Sequence, residues 1–345
     1  MVVLGADLHK RSHTIVVIDA TGRQLAEKTI GATDAGHIEL RRWAAQWPER
    51  TWGLEDCRHL SRRLDAELVR AGESVVRVSP KLMAGARRSG REPGKSDPID
   101  ALAVARAVLR EPDLPVATLD GPDRVVRLLV DHREDLVGER TRHEQRLRWF
   151  LVELAVAEPA PRSLGRAVVQ ATLTAALAGR TEPVARFARD LLARISELSV
   201  TIRALEHEIE TQITVLAPTL LELAGCGPLS AAKIVGEAAG ISRFRSKEAF
   251  ARHNGTAPVP VWSGNIVRHR LNRGGNRQLN VALHRIAITQ VRLGGPGRLY
   301  LDHRMAAGDT RTEAIRALRR RISDEVFRRL RADEAVRSTG LAAAA

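Results

Sequence analysis

The first eighty residues contain apolar runs and polar breaks in an order that restricts the folds open to this chain. Polar or glycine-containing breaks separate the runs VVLGAD, TIVVIDATG and RQLAEKTI, a pattern typical of a three-stranded antiparallel meander. Residues 35–48 then have helical periodicity, and the chain continues with a predicted strand in ERTWGLED, an amphipathic helix in HLSRRLDAELVRAG and a fifth strand in ESVVRVSP. The sequence therefore predicts a mixed α/β domain.

This order of elements resembles that of a ribonuclease H-like domain, in which the first and fourth strands are neighbours. Asp7 ends the first predicted strand and Glu55 ends the fourth, so their carboxylates should converge. Asp97 and Asp100, on the helix after the last strand, should reach the same place. Four carboxylates cannot all stay ionised at one site without a cation, so they predict divalent metal, Mg²⁺ (or Mn²⁺), for phosphoryl transfer.

The acidic pair in KSDPIDALAVARAV also has a simpler interpretation. Asp97 precedes Pro98, which suits Asp97 as the N-cap of a helix and Pro98 as its first residue. Asp100 would then lie in the first turn, where a negative charge suits the helix dipole. Asp7 could likewise cap a turn, and Glu55 could pair with a nearby arginine, so each acid alone leaves its role open.

Other polar residues near these acids are rival ligands. Asp56 follows Glu55 on the opposite face of the predicted strand. His9, His13 and His59 are close in sequence, but solvated histidines are commoner than ligands, so we do not include them in the site.

The charge balance indicates a nucleic-acid partner. The formal net charge is +14, an excess of basic residues that favours nucleic acid as the partner. Aromatic residues make up only 3%, which argues against a single-strand binder built on stacking. The two cysteines, Cys57 and Cys226, indicate neither a zinc site nor a disulfide framework. No run of eighteen apolar residues occurs, and an acid interrupts MVVLGADLHK, so we expect a cytoplasmic, nucleoid-associated protein.

Basic residues surround the predicted acidic site. The segment AGARRSGREPG, residues 84–94, has little apolar content, and we expect a mobile loop beside phosphate. The basic residues expected to bind nucleic acid here are Lys10, Arg87, Arg88 and Lys95.

The middle of the chain is predicted to be helical up to about Leu216. Apolar residues recur there at spacings of three and four, which predicts a coiled-coil seam: Leu191, Ile195, Leu198, Ile202, Leu205, Ile209, Ile213 and Leu216. The partner of this seam is either the earlier helix that carries Leu147 and Leu151 or another subunit. The stretch 155–181, with its prolines, predicts the bend between the two arms.

The chain changes character after Pro218. LAGCGPLSAAKIVGEAAG has the form of a helix-hairpin-helix, whose turn at Gly225 and Gly227 could present backbone N–H groups to phosphate, aided by Lys233. An ordinary helical corner of the fold is the alternative.

A proline-rich loop, PVPVWSG, places Ser263 before a glycine, ahead of a basic segment and an amphipathic helix. In isolation such a serine more often bonds only to nearby backbone. The arginines that follow could neutralise a phosphate or coat a solvated face, and we expect at least one to contact nucleic acid: Arg268, Arg270, Arg273 and Arg277.

Six short motifs in this order resemble the DEDD transposases of the IS-one-ten family of insertion sequences: GADLHK, GLEDC, KSDPIDA, LAGCGPLSAAKI, PVPVWSG and RGGNRQL. The resemblance covers nearly the whole chain. It departs from the family's pattern at His9, where a small residue is usual, and at Asn280, where an arginine is expected.

The resemblance implies a RuvC-like domain with its acidic tetrad at Asp7, Glu55, Asp97 and Asp100, and a nucleophilic serine at Ser263 that joins covalently to DNA. It also implies double-stranded DNA of element and target as substrate, a guiding bridge RNA, and a homo-oligomer, dimer or tetramer, whose subunits share active sites.

We accordingly expect four segments along the chain. These are a RuvC-like DEDD catalytic domain at 1–115, a helical coiled-coil linker or oligomerisation arm at 116–217, a mostly helical transposase domain with the helix-hairpin-helix and serine at 218–335, and a disordered tail at 336–345. Two alternatives to a serine recombinase stay open: a RuvC-like junction nuclease that uses water, and a non-enzymatic architectural DNA-binding protein.

Overall fold

The computed structural model describes residues 1–343 apart from 56–59, 89–95, 112–113, 115, 118, 120, 157–160, 264–265, 271 and 273. The chain divides into two compact units, Met1–Asp120 and Gly121–Ala345.

The first unit is a five-stranded sheet with helices on its faces. Its elements are β1 (Val2–Leu8), β2 (Ser12–Ile18), β3 (Gln24–Gly31), α1 (Asp34–Ala44), β4 (Arg50–Glu55), α2 (Arg62–Arg70), β5 (Val75–Val78), α3 (Pro80–Arg88) and α4 (Asp97–Arg110). The strand order is β3-β2-β1-β4-β5; β1, β2 and β3 are antiparallel, and β4 runs parallel to both β1 and β5. This topology confirms the mixed α/β class and agrees with the predicted ribonuclease H-like order.

β1 and β2 are buried on both faces, which explains their nearly continuous apolar runs. Leu4 of β1 and Ile15 of β2 pack with Leu40 of α1 in one core cluster. Val3 and Val16, from the opposite face of the same strands, belong to a second cluster with residues of α4. Because successive strand residues alternate between faces, odd-numbered residues of β1 lie on the α4 side.

The structure differs from the sequence prediction at residues 80–88. These residues form α3, where a mobile loop was expected from residue 84. Met83 and Ala86 of α3 are buried with Val104 and Ala107 of α4, so a small apolar face stabilises the helix despite its basic end. The rest of that segment lies outside the described residues.

The second unit is mostly helical, with one two-stranded sheet in its described part. Its elements are α5 (Pro122–Glu153), α6 (Ala167–Leu177), α7 (Pro183–Leu216), α8 (Pro218–Leu221), α9 (Pro228–Ala238), α10 (Lys247–His253), β6 (Val259–Ser263), β7 (Ile266–Arg270), α11 (Arg277–Leu293), α12 (Pro296–Ala306) and α13 (Arg311–Ala343).

The apolar seam of α7 packs on α5 of the same chain. Leu147 of α5 shares a buried cluster with Ile195 of α7, and Val126 shares another with Ile213. The pairing of low numbers on one helix with high numbers on the other makes the two helices antiparallel. The structure thereby selects one of the two partners that the sequence left open.

The base of this helix pair belongs to the same core as α9, α11 and α13. Ile209 of α7, Ile234 of α9, Leu283 of α11 and Val326 of α13 are all in one cluster. Residues on both sides of the predicted boundary at 217/218 therefore belong to one described core cluster.

The last helix is longer than the sequence indicated. α13 continues to Ala343, across most of the tail predicted to be disordered from residue 336. The alanine-rich end has high intrinsic helix propensity, so it extends the helix without needing to be buried. Within the described residues, no helix is long and apolar enough to cross a membrane.

Candidate active site

Two glycines bring α4 onto the sheet. Gly5 of β1 and Gly53 of β4 are register partners in parallel strands. A Cβ on Gly5 would lie 2.3 Å from the backbone oxygen of Ala101 and 2.4 Å from the backbone nitrogen of Ala105. A Cβ on Gly53 would lie 2.5 Å from Cγ2 of Val108. The helix backbone therefore crosses directly over β1, and valine side chains of the helix pack onto β4.

This close crossing brings the four predicted acids to one place. Asp7 and Glu55 lie two residues beyond the paired glycines and so share their α4-facing side of the sheet. Asp97 lies one helical turn before Ala101, so it continues the row of α4 residues that crosses β1. Asp100 is in the same first turn.

The electrostatics of Asp7 show that the acids lie close enough to act on one another. Asp7 is buried, with 5% of its surface exposed. Burial raises the pKa of Asp7 above its ordinary value, His9 opposes the rise, and the charges of Asp100, Asp97 and Glu55 add to it. The ionised form of this carboxyl is thus disfavoured in the protein alone, and a bound cation would stabilise it.

The start of α4 answers the capping alternative for Asp97. The N-cap is Ser96, whose Oγ accepts a hydrogen bond from the backbone N–H of Ile99 at 3.5 Å. Asp97 is already the first helical residue, and half of its side chain is exposed. Its carboxylate is therefore not the cap that the Asp-Pro pair indicated, although its first-turn position still suits the helix dipole.

Among the described residues, Arg87 and His9 contact the acids. Arg87 of α3 donates from Nη1 to Oδ1 of Asp100 at 2.8 Å, so this predicted nucleic-acid ligand is paired within the chain. His9 lies just beyond β1, and its Nε2 is 3.2 Å from Oδ2 of Asp7 and 3.2 Å from Oδ1 of Asp97.

Sequence reasoning left His9 out of the site. The signal that could have included it is its spacing of two from Asp7, because residues two apart on an extended chain lie on one face. Asp7, His9 and Asp97 each offer one donor atom, and these three atoms lie within 4.8 Å of one another. Two carboxylate oxygens and one imidazole nitrogen in this arrangement fit a divalent cation.

Ser263 lies in a separate hairpin of the second unit. It is the last residue of β6 and pairs with Ile266 of β7, and Val261 pairs with Arg268. In the strand register Arg268 is thus paired two residues before Ser263. Arg270, the last residue of β7, is exposed.

Comparison with known proteins identifies the group to which the chain belongs. A DEDD-type transposase model named for IS110 matches residues 4–155, and a model described as "Transposase IS116/IS110/IS902 family" matches residues 217–301. The chain belongs to the IS110/IS116/IS902 family of transposases. It is therefore an enzyme that cuts and rejoins DNA.

Relatives extend this similarity over almost the full length of the transposase. An insertion element IS116 protein of Streptomyces clavuligerus is 28% identical over 95% of this chain and 94% of its own length. An insertion element IS900 protein of Mycobacterium paratuberculosis is 26% identical, with 96% of each chain covered. A solved structure of Thermus thermophilus RuvC aligns with a TM-score of 0.27 and 16% identity, over 34% of this chain and 99% of that chain.

A buried polar network closes the base of the transposase's serine-bearing hairpin. Asn254 is fully buried; its Nδ2 donates to Oγ of Ser323 at 2.8 Å, and its Oδ1 accepts from the backbone N–H of Thr256 at 3.0 Å. Asn280 donates from Nδ2 to the Asn254 carbonyl at 3.0 Å and accepts from Nη1 of Arg319 at 2.9 Å. The family's expected arginine is absent at position 280, but Arg319 of α13 brings a guanidinium there.

The helices around the Gly-x-Gly turn differ in part from the expected helix-hairpin-helix. The first helix, α8, has four residues. Gly225 has a φ of +80°, and a Cβ on it would lie 3.0 Å from the backbone oxygen of Ile286, so this glycine allows close packing on α11. Gly227 is the N-cap of α9.

The remaining basic residues have different surroundings. Lys233 is 8% exposed and donates from Nζ to Oε2 of Glu134 at 2.8 Å, so its charge is neutralised by α5 within the chain. This burial speaks against its predicted contact with phosphate. Lys10, Arg88 and Arg277 are exposed. Lys95 and Arg273 lie outside the described residues.

Proposed function

We propose that this transposase cuts and rejoins the DNA of its element and target through a serine-DNA covalent intermediate, with divalent metal at an acidic tetrad and an RNA guide. The tetrad comprises Asp7, Glu55, Asp97 and Asp100, and the nucleophile is Ser263. The observation that carries the proposal is the close crossing of α4 over Gly5 and Gly53, which gathers acids from three separate elements.

The acidic cluster supports the metal part of the proposal. Asp7 is buried beside three other carboxylates, an arrangement that a protein tolerates best with a cation bound. Mg²⁺ or Mn²⁺ held there would supply charge neutralisation at the scissile phosphate and lower the pKa of an oxygen nucleophile. The capping alternative is weaker for Asp97 because Ser96 already caps α4.

The covalent step requires Ser263 Oγ to form a bond to the scissile phosphorus while the bond from phosphorus to a DNA oxygen breaks. Oγ loses its proton as it attacks, and the departing DNA oxygen gains one. Rejoining reverses the exchange, with a strand end displacing the serine. The energy of the broken phosphodiester is kept in the phosphoserine bond, so no nucleotide cofactor is needed.

The hairpin's basic residues support a role at the DNA backbone. Arg268 and Arg270 lie on β7, the strand paired with the one that Ser263 ends, and a guanidinium of this hairpin is proposed to hold the phosphate during attack. Exposed Lys10, Arg88 and Arg277 are further proposed contacts. The turn at Gly227 is proposed to present backbone N–H groups to a second phosphate; Pro228, the first residue of α9, has no N–H, so Leu229 supplies the first one of the helix.

The RNA guide and the homo-oligomer are implied by the family resemblance. A guide would deliver sequence recognition by base pairing and leave the protein to bind shape and backbone. The apolar seam of α7 does not support oligomer formation, because α5 covers it within one chain. Sequencing the RNA that co-purifies with the protein from cells tests the guide, and the absence of one defined RNA species would contradict it.

The serine is tested with Ser263→Ala. The variant should lose recombination and any covalent protein-DNA adduct on a denaturing gel, while its affinity for DNA stays within about threefold of wild type, because a single hydroxyl adds little to backbone binding. Ser338→Ala, on the exposed face of α13, is the matched control. If Ser263→Ala still forms the adduct, Ser263 is not the nucleophile. If wild type cleaves DNA without forming any adduct, a nuclease that uses water is favoured.

A further inference from the structure

His9 is half exposed, yet its ring lies between two carboxylates. About half of the His9 side chain is open to solvent, yet Nε2 is 3.2 Å from Oδ2 of Asp7 and 3.2 Å from Oδ1 of Asp97. One ring nitrogen carries at most one proton, so it cannot form two full hydrogen bonds at once. Equal distances from Nε2 to two carboxylate oxygens are better explained if Nε2 carries a lone pair and all three atoms face one cation.

The distances match those between ligands of one metal ion. Neighbouring ligands of an octahedral ion with bonds of about 2.1 Å are about 3.0 Å apart. The two His9 distances of 3.2 Å are close to that value, so the three groups could bind one ion with little movement. Hydrogen-bonded imidazoles and carboxylates lie nearer 2.8 Å when the bond is strong.

The remaining acid of the helix start already has a countercharge. Arg87 donates to Oδ1 of Asp100 at 2.8 Å and so takes up one oxygen of that carboxylate. His9 offers a nitrogen donor at 3.2 Å from both Asp7 and Asp97, within the same three-atom group.

We propose that His9 Nε2 is a direct ligand of the divalent ion that Asp7 and Asp97 bind, giving the centre a mixed nitrogen and oxygen donor set. Mg²⁺ is a hard ion that prefers oxygen, whereas imidazole is a good ligand for first-row transition metals. The centre is therefore selective for Mn²⁺ over Mg²⁺, a property that an all-carboxylate tetrad lacks. This inference rests on the proposed metal site.

The test is pulsed electron paramagnetic resonance of Mn²⁺ bound to the full chain, which detects hyperfine coupling to a directly coordinated imidazole ¹⁴N. Wild type should show that coupling, and His9→Ala should lose it. In titration calorimetry the same substitution should weaken Mn²⁺ binding by about tenfold or more while changing Mg²⁺ binding much less. His132→Ala, an exposed histidine on α5, is the matched control.

Two further outcomes separate this inference from the proposed function. Asp97→Asn should weaken the binding of both Mn²⁺ and Mg²⁺, because it removes a carboxylate that binds either ion. If wild type binds Mn²⁺ without ¹⁴N coupling and His9→Ala binds both ions equally well, the ligand role of His9 is overturned and the acidic site stands. If wild type binds neither ion, both proposals are overturned.

Discussion

Gly5 and Gly53 lie side by side on β1 and β4, and together they set the height at which α4 crosses the sheet. A side chain at either position would collide with α4 and hold the helix farther from the sheet. Because the acids of α4 are in its first turn, the depth of this crossing also sets their distance from Asp7 and Glu55. A packing feature of two glycines thus controls the geometry of the candidate active site.

Replacing Gly5 with alanine should damage stability and metal binding together. The new Cβ would meet two backbone atoms of α4, at Ala101 and Ala105, and backbone cannot rotate away as a side chain can. We expect a loss of about 2–3 kcal/mol in the free energy of unfolding, measured with urea, and weaker Mn²⁺ binding by calorimetry.

Gly85→Ala is the control for this substitution. Gly85 is inside α3, where a Cβ would meet nothing within 4 Å. That change should be neutral or stabilising by up to about 1 kcal/mol, because alanine favours helix. A Gly5→Ala protein with wild-type stability and metal affinity would show that α4 does not need the close crossing.

Asp7→Asn should raise the melting temperature of the metal-free protein. Burial and the neighbouring carboxylates raise the pKa of Asp7, so its ionised form is unfavourable in the fold, and a neutral amide removes that cost. Adding Mn²⁺ should then stabilise wild type but not the variant in a thermal shift assay.

Asp19→Asn, in the turn between β2 and β3, gives the opposite expectation. Hydrogen bonds from Thr21 and Arg23 lower the pKa of Asp19 to about 2, so its charged form is favoured in the fold. Asparagine should lower the melting temperature there and leave the response to Mn²⁺ unchanged. A fall in melting temperature for metal-free Asp7→Asn would contradict the repulsion inferred at the acidic site.

His13 should make the stability of the first unit depend on pH. Burial, together with the neighbouring His37, lowers the pKa of His13 from 6.5 to about 4, so the folded state holds it neutral. Below pH 6.5 the unfolded chain binds a proton that the folded chain does not, and stability is lost as the pH falls from 6.5 toward 4. The total loss should be about 3 kcal/mol.

The difference between wild type and His13→Leu reports this effect, since the groups that do not interact with His13 titrate equally in both proteins. Urea unfolding at several pH values should show the two stability curves diverging between pH 6.5 and pH 4 and running parallel below pH 4. Parallel curves over the whole range would contradict a neutral buried His13.

Asn254→Ala should loosen the base of the serine-bearing hairpin. The substitution removes the oxygen that accepts a hydrogen bond from the Thr256 N–H. It also removes the amide group that donates a hydrogen bond to the buried hydroxyl of Ser323. We expect a loss of about 2–4 kcal/mol in unfolding free energy. Adduct formation should fall more than DNA binding does, because the hairpin backbone carries Ser263.

Gln145→Ala, at an exposed position of α5, is the control and should change neither quantity. Equal losses of adduct formation and DNA binding in Asn254→Ala would mean that the network supports the unit as a whole and not the hairpin in particular.

Much of the first unit could be predicted from local pattern. Apolar runs bounded by polar breaks located all five strands, and the order of helices and strands gave the correct class. The four acids could be assigned to one place because strand neighbours follow from that order. α3 was missed because its apolar face is only a few residues long. The helix is stabilised by packing on α4, and such a tertiary contact is not visible in the residue pattern of 80–88.

The surroundings of charged residues could not be predicted in the same way. Lys233 reads as a phosphate ligand beside a glycine turn, yet α5 supplies two carboxylates to it from a hundred residues away. Arg87 likewise pairs with Asp100. Ion pairs depend on which elements pack together, and net charge alone does not reveal which basic residues remain free.

The sequence by itself determined the secondary structure of the sheet, the positions of the acids along the chain and the basic character that indicates nucleic acid, because these depend on neighbours in the chain. Tertiary structure alone decided that Ser96 caps α4, that α5 covers the seam of α7 and that His9 reaches both Asp7 and Asp97. Those outcomes depend on distances between elements, which packing sets and local sequence does not record.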